Sequence, residues 1–376
     1  MDFVRRVSEL RKKMQAEGLH AIVYGTGANF QYLTGLPVPW RRLEEPREPS
    51  DFLVVSEAHE PLVILSRASS HLATGAPFPQ VICDSPSEAV KMIRRHIRGN
   101  RGGLSRQSYA YLADLIKQAV PEAECREAEH LGEDLRMIKN PQEVKLLRKA
   151  ADLVGMTLRE LVPHIRPGVR QGDLRRMIAD IGKSLGADDV SFPPGPLFVK
   201  SGTPPTEDPF VYPEAEGLVP GTSVAFDFGF IVEGYCSDFG RSFYCGPSPR
   251  DFKKAYRALH TALIDLVNGI RPNETRIGDL FGMLEAVMDS LGYGDRLRAR
   301  HTDRTLGHLI GLDVHELPWI RPDAHILVRP GMVMALEPKV WLPGEYYLRV
   351  EDIVLITDTG AEFLTEFDRE LFELPV

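Results

Sequence analysis

The sequence predicts an α+β protein: a smaller α/β domain over residues 1–134, then a larger domain over residues 135–376 built from two similar halves. Three observations lead there. The chain's 376 residues exceed the usual single-domain size. Within the first third, short β-like apolar runs alternate with helical stripes, the pattern of a sheet covered by helices. Beyond residue 135, a pair of helical patterns followed by strands occurs twice.

Residues 3–18 place Val4, Leu10 and Met14 on one helical stripe, with Gly18 as a stop. Ala21 to Tyr24, Phe52 to Val55 and Pro61 to Leu65 read as strands, and 87–98 and 106–118 as helices. The charged segment from Trp40 to Glu48 reads as an exposed loop rather than a lid. Asn140-Pro141-Gln142-Glu143 offers an N-cap side chain, proline in the first turn and a glutamate to close the box, so a helix starts there. Helices at 141–160 and 170–186 precede strands at 193–200 and 222–245. Helices at 250–270 and 275–292 then precede strands across 305–360.

Hydrophobic residues at 43% with 26% charged give enough apolar material for large cores. A net charge of −8 argues against nucleic acid or an anionic membrane as partner. No apolar run approaches the roughly 20 residues of a membrane span. Met1 to Arg6 leads into a charged helix without a signal-like apolar stretch. Cys83, Cys125, Cys236 and Cys245 lack Cys-x-x-Cys spacing and are too sparse for a disulfide framework, so a reducing cytoplasm is expected.

Two candidate hairpins set acid against acid. Val224 to Phe230 is an apolar run interrupted by Asp227, and Tyr235 to Cys245 carries Asp238. A turn centred between Val232 and Glu233 places Asp227 opposite Asp238. A turn centred on Gly344 likewise places Glu337 opposite Glu351. Singly, each acid reads most simply as a solvated outer-face residue. Opposed pairs in apolar strands repel one another, and buried carboxylates must be neutralised, so divalent cations are favoured. Gly307-His308 and His315-Glu316-Leu317-Pro318 add two histidines near glycines that permit close backbone approach; core packing and ligation weigh about evenly there.

These residues resemble the creatinase/prolidase/methionine-aminopeptidase superfamily of pita-bread metallopeptidases. The resemblance rests on Asp227-Phe228-Gly229 with Gly234-Tyr235-Cys236-Ser237-Asp238 and Arg241-Ser242-Phe243. It extends through Gly307-His308, His315 to Pro318, Gly331-Met332-Val333, Glu337-Pro338 and Arg349-Val350-Glu351-Asp352. Asn29 to Gly35, and the join Leu135 to Lys139, are similar to a creatinase-type N-terminal domain and its junction. Methionine aminopeptidases lack that domain, so prolidase, aminopeptidase P and creatinase are nearer in kind.

The resemblance implies a pita-bread domain with pseudo-twofold halves and two divalent metal ions, Mn, Co, Fe or Zn. It implies Asp227, Asp238, His308, Glu337 and Glu351 as ligands, Asp238 and Glu351 bridging. An activated water would attack a carbonyl carbon, with Glu337 as proton shuttle and His315 stabilising the oxyanion. Arg349 shares a strand face with Glu351 and would hold it in place, although an exposed ion pair is an equal reading. Cys236 reads as a buried structural thiol. Homodimerisation is also implied. Four positions depart from the family pattern: Phe210 stands where proline peptidases place a substrate-contacting His, Leu309 and Lys339 replace glycines, and Gly240 replaces a threonine. Phe210 and Leu309 are therefore read as lining the substrate pocket. A Xaa-Pro dipeptidase or aminopeptidase P-like peptidase is the first reading of function, a non-peptide C–N hydrolase or lyase acting on a small molecule the second, and a non-catalytic binding module the third.

Overall fold

A computed structural model describes residues 1–38, 40, 51–73, 75–107, 109–202, 211–370 and 373–374. Arg41 to Glu48 of the charged segment, and Phe210, lie outside the described residues. The chain divides into two compact units, Met1–Arg136 and Met137–Val376.

In the first unit, α1 (Phe3–Ala16) starts where the Asp2 side chain accepts the Arg5 N–H, and it buries Val7, Leu10 and Met14. Val4, expected on that stripe, is 62% exposed, and Val7 takes its place against the core. The chain continues through β1 (Ala21–Gly25), α2 (Ala28–Thr34), β2 (Phe52–Ser56), β3 (Leu62–Ser66), β4 (Gln80–Cys83), α3 (Pro86–His96), β5 (Arg101–Leu104), α4 (Tyr109–Ala119), β6 (Glu124–Glu127) and α5 (Glu129–Arg136). The six strands form one sheet in the order β4-β3-β2-β1-β5-β6. Strands β1 and β2 are buried along their whole length, as strands covered on both faces must be.

The second unit opens on α6 (Pro141–Leu161), where Asn140 and Glu143 close the capping box that the sequence announces. Its first half continues with α7 (Gln171–Ser184), β7 (Asp189–Val190), β8 (Leu197–Lys200), β9 (Thr222–Ala225), β10 (Phe230–Val232), β11 (Tyr235–Cys236) and β12 (Ser242–Cys245). The second half runs α8 (Arg250–Gly269), α9 (Leu280–Ser290), β13 (Gly307–Leu309), β14 (Glu316–Ile320), β15 (Val333–Leu336), β16 (Lys339–Leu342), β17 (Tyr346–Arg349), β18 (Asp352–Ile356), β19 (Ala361–Phe363) and β20 (Glu373–Leu374). Each helix pair packs on its own half. Leu153, Val154 and Leu158 of α6 share a core with Phe226, Phe228 and Phe230. Leu259 and Leu263 of α8 do the same with Met334 and Val354. Among the described residues, no helix is long and apolar enough to cross a membrane.

The two hairpins differ from each other in how they meet expectation. In the second, Leu336 pairs with Asp352 and Lys339 with Arg349, so Glu337 stands across from Glu351 as the turn at Gly344 requires. In the first, Val232 pairs with Tyr235 and Phe228 bridges Phe239, two residues out of the expected register. The cause is the turn itself: Glu233 (φ 48°) and Gly234 (φ 87°) are its two central residues, a backbone of the I′ kind. Asp227 therefore stands across from Gly240, diagonal to Asp238. A slip of two preserves side-chain parity, so both acids keep one face.

Behind the strands, His260 of α8 is buried with neither ring nitrogen hydrogen-bonded among the described residues. Burial, with Arg241 and Arg369 nearby, pushes its pKa well below the ordinary histidine value. The folded state thus holds His260 neutral while the unfolded chain protonates it near pH 6.5, so this group's stability is present above that pH and lost as pH falls through the folded pKa. Thermal melts from pH 7.5 to 5 should show His260→Phe losing less stability than wild type, by up to about 1.4 kcal/mol per pH unit below 6.5. Parallel curves would place the pH sensitivity elsewhere.

Candidate metal centre

Asp227 follows β9, Asp238 follows β11, His308 lies in β13, His315 precedes β14, Glu337 follows β15 and Glu351 precedes β18. Strand ends from both halves thus deliver the side chains to one place. Gly240 and Glu351 join the halves directly: the Glu351 N–H donates to the Gly240 carbonyl at 2.9 Å. Gly229 lets the first ribbon close, since a Cβ there would meet the Ser237 carbonyl oxygen at 1.8 Å.

Carboxylate oxygens of Asp227, Asp238 and Glu351 all lie within 4.8 Å of one another. Asp238, His308 and His315 likewise bring one ligand atom each within 4.8 Å, with His308 Nε2 3.5 Å from Asp238 Oδ2. Asp238 belongs to both groups. Glu337 joins neither at that distance; its carboxylate lies 2.5 Å from Lys339 Nζ and 3.5 Å from Arg349 Nη2.

Burial and the neighbouring carboxylates Asp227 and Glu337 push Asp238 well above the usual carboxylate range. Burial, with Asp238 and Glu337, does the same to Glu351. For Glu337, burial alone would raise the pKa, but Lys339, Arg349 and His308 outweigh it and hold the group at about 2. Asp238 Oδ1 and Glu351 Oε1 are buried without a hydrogen-bond partner among the described residues. Such atoms call for a cation, and a set of four carboxylates and imidazole suits divalent first-row metals. The residues fit. His308 Nδ1 lies 3.0 Å from the Leu309 carbonyl, which leaves Nε2 facing the acids.

Arg349 reaches further than its own strand. It contacts Asp227, lies 3.2 Å from Glu351 and approaches Glu337, so one guanidinium braces three of the four acids. Gly240 makes room for it: a Cβ there would lie 2.5 Å from Arg349 Cδ. The substitution of glycine for the usual threonine is thereby matched to this arginine's path. Gly240→Ala should displace the guanidinium, retain bound metal and lower kcat by about 10–100-fold, the effect of losing an outer partner of a ligand. Metal analysis with steady-state kinetics checks this, and an unchanged kcat would count against the bracing role.

Two further features escape the sequence. Trp319 of β14 packs on both histidines, with ring centroids 5.4 Å from His308 and 5.1 Å from His315. Only its place on the strand following His315 hints at this. Lys139 Nζ and Glu316 form a buried pair at 2.9 Å, and Glu316 also accepts the Asp313 N–H, which fixes the loop bearing His315. Leu309, expected to line the substrate pocket, is fully buried and shares the core with Met334. Cys236 is buried and its Sγ meets the Leu312 carbonyl; all four cysteines are free thiols.

Residues 145–358 match the model of metallopeptidase family M24, and residues 6–138 that of the creatinase/prolidase N-terminal domain. YkvY of Bacillus subtilis strain 168, provisionally named a dipeptidase, is 29% identical over 384 residues covering 100% of both chains. Among solved structures, a prolidase from Thermococcus sibiricus superposes with TM-score 0.86 and 25% identity, covering 100% of each chain. A Xaa-Pro dipeptidase from Bacillus anthracis superposes at 0.84 with 24% identity over 99% of this chain and 100% of that one, a likeness of fold.

Proposed function

The chain belongs to metallopeptidase family M24 and is a metal-dependent hydrolase, and on that premise we propose that it is a Xaa-Pro dipeptidase or aminopeptidase P-like peptidase using two divalent cations. The observation that carries the proposal is the convergence of Asp227, Asp238 and Glu351, with Asp238 shared by a second group containing His308 and His315. Full-length likeness to the Thermococcus sibiricus prolidase and to YkvY supports the peptide reading.

Asp227, Asp238, His308, Glu337 and Glu351 would hold the cations. Bound there, the cations supply Lewis acidity and an activated water as nucleophile. Glu337 takes the proton of the attacking water and delivers it to the leaving nitrogen. His315 stands beside His308, and its partly buried ring and that neighbour lower its pKa, so near neutral pH it is an uncharged donor for the developing oxyanion. Arg349 keeps Asp227 and Glu351 oriented throughout.

Loading the protein separately with Mn, Co, Fe and Zn, counting bound metal and assaying Xaa-Pro dipeptides tests the reading. Metal-dependent proline release is expected; failure with every cation counts against it. Light scattering on the same samples checks the homodimer that belongs to the proposal. A non-peptide C–N hydrolase is the second reading, favoured by Lys339 beside Glu337. Turnover of small amidines or ureides with peptides inert selects it.

A further inference from the structure

The buried pair of Lys139 and Glu316 calls for a reason that stability does not supply. Their side chains are 1% and 3% exposed, with Nζ 2.9 Å from Oε2. Desolvating two charges costs about as much as their attraction gains, so apolar residues of equal volume would serve the core as well. What a charged pair adds is direction. Lys139 stands on a stiff anchor: its N–H donates to the Gly331 carbonyl at 2.8 Å, and the next residue, Asn140, caps α6.

Glu316 carries that direction into the loop before it. Its Oε1 accepts the Asp313 N–H at 3.3 Å, and the Asp313 carbonyl accepts the Gly311 N–H at 3.0 Å. The Gly311 carbonyl in turn accepts the Cys236 N–H at 2.8 Å, which ties the loop to the first ribbon. Gly311 also leaves the carboxylate its place, since a Cβ there would lie 2.7 Å from Oε2 and 2.8 Å from Oε1. Beside it the ladder is irregular. His308 pairs with Trp319 but Leu309 with Glu316, so Leu317 and Pro318 bulge from β14. His315 stands next to this break, its ring 4.5 Å from that of His308 and perpendicular to it. Where the ladder breaks, backbone pairing no longer fixes the strand, and the Glu316 carboxylate takes over that task.

We propose that Lys139 and Glu316 are positioning residues for His315: the buried pair aims the imidazole at the developing oxyanion and acts on turnover, not on substrate affinity or metal binding. The inference rests on the role given to His315 in the peptidase reading above. A misplacement of about 1 Å is enough to cost about 100-fold in rate, so a pair that fixes one loop can matter this much without touching the substrate.

Two variants perturb the pair in different ways. Lys139→Met with Glu316→Leu removes both charges together and should melt close to wild type. Gly311→Ala keeps both charges and displaces the carboxylate. In the metal-loaded protein each is expected to lower kcat on alanyl-proline about 10–100-fold, with KM and metal content within about 3-fold of wild type. In a His315→Ala background the same substitutions should change kcat less than about 3-fold, because the pair then has no ring to aim. A full additional loss there, or a rise in KM at constant kcat, would overturn the proposal. NMR spectra of the metal-free protein with isotope-labelled histidine need no substrate. The His315 resonance, assigned with His315→Ala, should shift or split in both variants while that of His260 on α8 stays in place. An unmoved His315 resonance also overturns the proposal. If wild type cleaves no peptide, the peptidase reading fails by itself, and the spectra still decide whether the pair orients His315.

Discussion

Asp238→Asn is expected to abolish stoichiometric metal binding, lower turnover by about 10³-fold or more, and yet stabilise the metal-free protein. The first two effects follow from position: Asp238 lies with the carboxylates of Asp227 and Glu351 and 3.5 Å from His308 Nε2, so its loss removes the donor at the middle of the proposed ligand set. Metal catalysis is worth several kcal/mol of transition-state stabilisation, and each 1.36 kcal/mol is tenfold in rate, which gives the figure of about 10³. The third effect comes from burial. Asp238 is 4% exposed, and burial with Asp227 and Glu337 raises its pKa well above the ordinary value. Folding therefore costs free energy at neutral pH, where the unfolded chain carries the ionised acid. A group with a raised folded pKa contributes stability present below the unfolded value, about pH 4, and lost as pH rises through the folded pKa. Asparagine is neutral at every pH and escapes the loss. Melts in chelator should therefore show Asp238→Asn above wild type at pH 7, by about 2–4 °C for each kcal/mol gained, and level with it near pH 4. Full metal occupancy in the variant would remove Asp238 from the ligand set; a variant melting lower in chelator would show that the acid is paired in the metal-free fold.

The same residues show where sequence reasoning reaches and where it stops. Both hairpins are legible as acid-bearing ribbons, because a carboxylate inside an apolar strand is visible at period two. Register is legible only where the turn is unambiguous. Gly344, alone between Leu342 and Tyr346 in adopting positive φ, fixes the second hairpin. In the first, Glu233 adopts a conformation its side chain disfavours, and the apolar pattern fits a slip of two as well as the true pairing. Leu309 shows a different limit: its place beside a ligand is legible, but not that its side chain is fully buried in the core with Met334. The threefold reach of Arg349 is beyond the sequence, since parity shows its nearness to Glu351 but not the space that Gly240 leaves for it. Strands β4, β6 and β20 are short and weakly patterned, and each exists because a distant segment pairs with it.

Arg241→Met is the substitution expected to cost the fold most, and its cost reaches the centre through Glu351. Arg241 is 1% exposed and Asp352 fully buried, paired at 2.6 Å between Nη2 and Oδ1. Thr365 donates to the same carboxylate oxygen, and Arg241 Nη1 donates to the carbonyls of Gly240 and Glu351 at 2.8 and 2.7 Å. The guanidinium also stacks 4.4 Å from the centre of the Phe239 ring. Methionine keeps the alkyl stem and strands a buried carboxylate, a change worth about 3–5 kcal/mol. What hurts is the leftover charge, not the missing attraction. Arg241→Met with Asp352→Leu should therefore recover a large part of the loss, and a double-mutant cycle by urea denaturation measures the coupling. A single variant that loses less than about 1 kcal/mol, or a double variant no better than the sum of its parts, would contradict the pair. Metal affinity should follow stability only in part. The Glu351 carbonyl accepts from Arg241 Nη1 and, at 3.4 Å, from the Gly240 N–H; losing the shorter bond, the single variant should bind metal more weakly even under conditions where it is fully folded.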